Sequence, residues 1–85
     1  PNAILALEAG GIRIFPNPVA DQLSIRSREL PIESVTILDI HGRVVIWYEE
    51  NDLLSQPDVS NLQPGTYYLL VGSGNRTYGS GIVKL

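Results

Sequence analysis

From Ile12 onward, apolar and polar residues alternate in short runs separated by Gly, Pro, Asn and Asp. A period of two places successive side chains on opposite faces of a strand, so such runs predict half-buried β-structure. Ile12–Phe15 is the first run, stopped at Pro16-Asn17-Pro18, where two residues lack the N–H a ladder needs. In Gln22–Ser27, Leu23 and Ile25 face inward while Ser24 and Arg26 face out. Ser34–Asp39 follows, with Val35 and Ile37 inward. Ile40-His41-Gly42 then turns the chain into Arg43–Tyr48 as a β-hairpin, with Asp39 accepting local N–H groups and Gly42 taking positive φ. Arg43–Tyr48 is apolar on both faces, which suits a central strand or a strand with an exposed patch. Beyond it, Leu53-Leu54 is expected to tuck under a polar loop and Pro57–Val59 to form a short edge strand. Thr66–Gly72 is a second central strand, Ser73-Gly74-Asn75 a turn, and Arg76–Leu85 the last strand. The count is about seven strands and no helix, an all-β antiparallel chain.

Residues 1–11 break the pattern. Ala3–Ala9 has weak helical propensity without a cap and runs into Gly10-Gly11. The segment reads as a linker from an upstream domain or a first strand borrowed from it, leaving residues 12–85 as the domain proper. With no Met at Pro1 and no signal peptide, the chain is expected to be part of something longer.

Composition narrows the chemistry. Eighty-five residues make one domain with little room for both a core and an elaborate cleft. At 44% hydrophobic and 18% charged, the chain is too apolar for a disordered tail. A net charge of −3, with six Lys and Arg scattered along the sequence, offers no basic face for nucleic acid. No apolar run is long enough to span a membrane. The absence of Cys excludes disulfides, thiolate metal sites and Cys nucleophiles, and His41 alone cannot build a multi-His site. His41 reads as an exposed turn residue. No Ser-His-acid arrangement or phosphate loop is present, and no cofactor or enzymatic activity is expected.

The most informative local segment is Leu62-Gln63-Pro64-Gly65-Thr66-Tyr67. Pro64 presets φ, Gly65 supplies the freedom for a bend, and Tyr67 opens a strand. In immunoglobulin-type sandwiches a Tyr placed this way bonds its hydroxyl back to upstream backbone. The expected fold is therefore an immunoglobulin-like, Greek-key β-sandwich, with Leu62 plugging the core beside Tyr67.

Four segments then resemble one family. Phe15-Pro16-Asn17-Pro18 looks like the aromatic-Pro-Asn-Pro opening of type A C-terminal sorting domains of the type IX (Por) secretion system of Bacteroidetes. Val35–Val45, with Asp39, Gly42 and Arg43, resembles that family's Asp-x-x-Gly-Arg hairpin. Leu62, Gly65 and Tyr67 match its Leu-x-x-Gly-x-Tyr segment, and Gly81-Ile82-Val83-Lys84-Leu85 its closing strand. One departure is that Ser73–Gly81 carries Gly and Ser where many members carry Lys or Arg. The resemblance implies a domain without chemistry of its own, which directs its parent protein through the outer-membrane translocon to the cell surface after periplasmic transit. It implies as partners the type IX translocon and a sortase-like peptidase, with anionic lipopolysaccharide reached through the parent. It makes Gly81, Val83, Lys84 and Leu85 the candidate recognition residues, on a last strand expected at a sheet edge with Lys84 as a solvated charge. Pro16, Asn17, Pro18, Asp39, Gly42, Arg43, Leu62, Gly65 and Tyr67 are structural.

Bland readings stand beside the sharp ones. Asn17 is expected to cap local backbone within its turn, and Asp39 to form a turn rather than bind metal with Asp58 or Glu49. Trp47 is expected in the core. Two other functions stay open: a carbohydrate-binding module using Trp47, Tyr48, Tyr68 and Tyr78 as a platform, and a fibronectin-like interaction module.

Overall fold

A computed structural model of the chain describes residues 3–49 and 56–85; Leu53-Leu54 lies outside them. Among the described residues the protein is all-β, with seven strands in two sheets. These are β1 (Ile4–Ala6), β2 (Ile12–Phe15), β3 (Ser24–Ser27), β4 (Ser34–Leu38), β5 (Val44–Glu49), β6 (Gly65–Ser73) and β7 (Arg76–Lys84). A 3-10 turn, Leu7–Gly10, follows β1. The larger sheet has the order β1-β7-β6-β4-β5, and β2 and β3 form a two-stranded ribbon. These strands pair antiparallel except β1 on β7, where Ile4–Ala6 lies parallel to Thr77–Gly79, and the isolated bridge of Val19 to Lys84 is also parallel.

One core joins the two sheets. The ribbon contributes Ile12 and Ile25, and the larger sheet Val35, Ile37, Leu69, Val71, Tyr78 and Ile82. Leu7, Val19, Leu23 and Val59 fill it from turns and connections. The alternation read from Gln22–Ser27 and Ser34–Asp39 is the observed one, because Leu23, Ile25, Val35 and Ile37 are all buried.

Strand membership differs from the sequence reading at one place, and one of its two readings of the N-terminal segment, a first strand, is the observed one. Pro57–Val59 forms only a single bridge, Asp58 opposite Gln22, although Pro57 and Val59 are both buried. The segment is short and begins with a proline, so it plugs the core without building a ladder. At the other end, Ile4–Ala6 pairs with β7 and Leu7 is buried.

β5 is an edge strand, and Trp47 is 60% exposed where core packing was expected. Register explains it. Val35 and Ile37 point into the core opposite Tyr48 and Ile46, and the intervening Trp47 lies opposite Thr36 on the outer face. A register shift between Ile37 and Leu38 then brings Val44 onto Leu38. The apolar character on both sides of this strand thus leaves Val44, Val45 and Trp47 exposed.

The β6–β7 hairpin turns at Gly74-Asn75, where Gly74 takes φ +62°. The β4–β5 hairpin turns at Gly42, with φ +81°. Before β6, the Tyr67 hydroxyl donates to the Gln63 carbonyl at 2.7 Å and Leu62 packs against the core, as the corner reading expects. Tyr67→Phe removes that one bond and keeps the ring, so it should cost about 1 kcal/mol in chemical denaturation. An unchanged denaturation midpoint would remove the corner role.

Candidate functional site

The last strand lies inside the larger sheet, not at its edge. β6 pairs with β7 along its whole length. On the other side, β1 covers Thr77–Gly79. The residues that follow are covered by the turn from Pro16 to Val19, whose two X–Pro bonds are cis. The Val83 N–H donates to Asn17 Oδ1 at 2.9 Å, and Asn17 Nδ2 donates to the Gly81 carbonyl at 3.4 Å. Val19 continues the contact: its N–H donates to the Val83 carbonyl at 2.8 Å, and it accepts from the Leu85 N–H at 2.9 Å.

Asn17 therefore does not cap its own turn. Pro16 and Pro18 have no N–H, so the Asn17 amide supplies the donor and acceptor that a neighbouring strand's backbone would otherwise provide. The sequence carried half of this signal: an Asn between two prolines holds the only N–H groups there. Its partners, more than sixty residues away, were not readable.

With β7 held on both sides, its alternation is fixed. Ile82 and Lys84 face inward, while Gly81, Val83 and Leu85 are exposed. Lys84 is only 9% exposed, a correction to its reading as a solvated charge. It shares the inward face with Ile82 and lies opposite Val19 on one side and Gly65 on the other. Its ammonium donates to the Leu85 carbonyl at 2.9 Å, so the long stem is covered while the charge bonds to the last residue.

The Asp39–Arg43 hairpin is built as the sequence suggested. Asp39 Oδ1 accepts the N–H groups of His41 at 2.8 Å and Arg43 at 3.0 Å. Its Oδ2 accepts Arg43 Nε at 2.8 Å. The Gly42 N–H donates to the Asp39 carbonyl and the Asp39 N–H to the Arg43 carbonyl, which close the turn. The Asp39 carboxylate is thus committed to the turn, and His41 is exposed. The Arg43 N–H above all holds the Asp39 carboxyl below its ordinary range; desolvation opposes it, and the His41 N–H and the Arg43 guanidinium add to the lowering. Asp58 is lowered likewise by hydrogen bonds from Ser60.

Of the four aromatics weighed as a sugar platform, only Trp47 and Tyr68 are exposed. Tyr48 is half-buried and Tyr78 is buried in the core, so no coplanar exposed surface unites them.

The family model for the secretion system C-terminal sorting domain matches residues 13–84, which begin in β2 and run through Lys84. The chain belongs to this family. The sorting domain is a C-terminal sorting signal for type IX secretion, which implies interaction with the type IX machinery and export to the cell surface or extracellular space. The family, one of Bacteroidetes, is not an enzyme family. No curated protein and no solved structure matches the chain. Among the described residues, no helix is long and apolar enough to cross a membrane. In the sorting domain's own geometry, two of the segments that carried the resemblance meet: the Pro-Asn-Pro turn bonds the Gly81–Leu85 tail.

The Asp39 turn has a pH signature. Its carboxyl is lowered in the folded state, so the unfolded chain binds more protons in acid and stability falls as pH drops through the carboxylate range. Thermal melting should therefore lose stability below about pH 4, and Asp39→Asn should flatten that dependence. An identical pH profile in the variant would contradict the assignment.

Proposed function

We propose that the sorting domain is an immunoglobulin-like, Greek-key sandwich that is read by the translocon at its C-terminal strand. In this reading residues 12–85 form the sorting domain and residues 1–11 join it to its cargo, with β1 as a first strand docked from the linker. Gly81, Val83, Lys84 and Leu85 are the recognition residues, reached during passage through the periplasm. A sortase-like peptidase then acts near the linker, and anionic lipopolysaccharide enters through the parent protein. The domain itself performs no chemistry.

One observation carries the reading. Asn17 and Val19 hold the tail as a strand, leaving Gly81, Val83 and Leu85 exposed in a fixed row. A translocon that accepts diverse folded cargo needs such a rigid, constant feature, because an ordered surface costs less entropy on binding than a loose tail. Lys84 takes part from inside, by bonding the Leu85 carbonyl and so orienting the terminus. Pro16, Asn17, Pro18, Asp39, Gly42, Arg43, Leu62, Gly65 and Tyr67 support the strand without contacting the partner.

The reading separates from a purely structural role at Val83. Val83 is 43% exposed, so Val83→Ser should change stability by no more than about 0.5 kcal/mol. Fused to a periplasmic reporter in a type IX-competent cell, the Val83→Ser domain should leave the reporter trapped in the periplasm while it still folds. Export at the unsubstituted level would overturn the recognition role.

A further inference from the structure

The cations that look scattered along the sequence are not scattered in space. Arg13, Arg26, Arg28 and Arg76, four of the chain's six Lys and Arg, surround two adjoining depressions that share Gly11 and Arg28. The first is lined by Arg13, Arg26 and Arg28. The second is lined by Arg28 and Arg76, with one carboxylate, Glu29. All four arginines are exposed. Among the described residues the one ion pair is Arg43 with Asp39, so none of the four pairs with a described carboxylate.

Arg13 and Arg26 also face each other directly across the β2–β3 ladder. Like charges directly opposite on a sheet are destabilising. Neither side chain packs into the core, so apart from the contact of Arg13 with the Phe15 ring the pair returns little to the fold. An anion lying between them turns repulsion into two charge-assisted pairs. The guanidinium fork suits phosphate oxygens in particular.

The neighbouring surface specifies how that phosphate is presented. The Arg13 guanidinium lies 6.0 Å from the centre of the Phe15 ring, which is 41% exposed two residues along the same strand face. A pair of cations beside an exposed aromatic matches the boundary between phosphate headgroups and acyl chains. The net charge of −3 repels anionic surfaces elsewhere, so contact is confined to this side. We propose that the arginine-lined side of the β2–β3 ribbon binds phosphate groups presented by a lipid headgroup. The site is separate from the tail read during export and goes beyond that function.

The test is flotation of the full chain with vesicles of equal parts phosphatidylglycerol and phosphatidylcholine, against vesicles of phosphatidylcholine alone. A parallel titration uses inorganic pyrophosphate. Binding should occur only to the mixed vesicles and weaken with salt. The double variant Arg13→Gln/Arg26→Gln should bind about 30-fold more weakly, the loss expected for two surface cations. Its melting temperature should be unchanged or higher, because a like-charge pair is relieved; a merely structural role would lower it. Arg13→Lys/Arg26→Lys, which keeps the charge and loses the fork, should bind between the unsubstituted chain and the double glutamine variant, and Glu29→Gln should strengthen binding. Pyrophosphate binding that the double glutamine variant loses, without vesicle binding, overturns the lipid source and leaves a soluble phosphate ligand. Absence of both, or vesicle binding unchanged in the double glutamine variant, overturns the site.

Discussion

The final strand of this domain needs partners on both sides, and the way its second side is covered organises the rest. An uncovered strand presents a row of unpaired N–H and carbonyl groups, open to pairing with any other chain. Here β6 takes one side and a composite takes the other: β1, then the Asn17 side chain, then the Val19 backbone. Asn17 is the hinge of that composite. It stands between two residues without N–H groups, and its amide bonds both Gly81 and Val83.

From this clamp the other features follow. Holding β7 in register places Ile82 in the core and directs Val83 outward. It also brings Lys84 opposite Gly65, where β6 begins. That beginning is fixed in turn by the Tyr67 hydroxyl on Gln63. The Pro-Asn-Pro turn, the corner and the tail are thus one structure assembled from both ends of the chain.

What was legible in the sequence was local. The Asp39–Arg43 turn and the Tyr67 corner each close within four residues, so residue type and spacing define them. The inward positions of Leu23, Ile25, Val35 and Ile37 followed from alternation alone. The misreadings at Asn17, Trp47 and Lys84 share a cause: each depends on which strands are neighbours. Trp47 is exposed because β5 is an edge, and Lys84 is covered because β7 is not. The four arginines are brought together by the same pairing, which places Arg13 on Arg26 and folds Arg76 back beside Arg28. The family resemblance identified the sorting function before any of this geometry, since its motifs are local strings in a fixed order.

The clamp is tested most directly by hydrogen exchange at the Val83 amide. In the unsubstituted chain that N–H bonds a side chain, Asn17 Oδ1, and should exchange far more slowly than an exposed amide. Asn17→Ala should speed its exchange about fivefold, the effect of losing one hydrogen bond, while Val71 in the middle of β6 stays protected. Rapid exchange at Val83 in the unsubstituted chain, or an unchanged rate in the variant, would contradict the account.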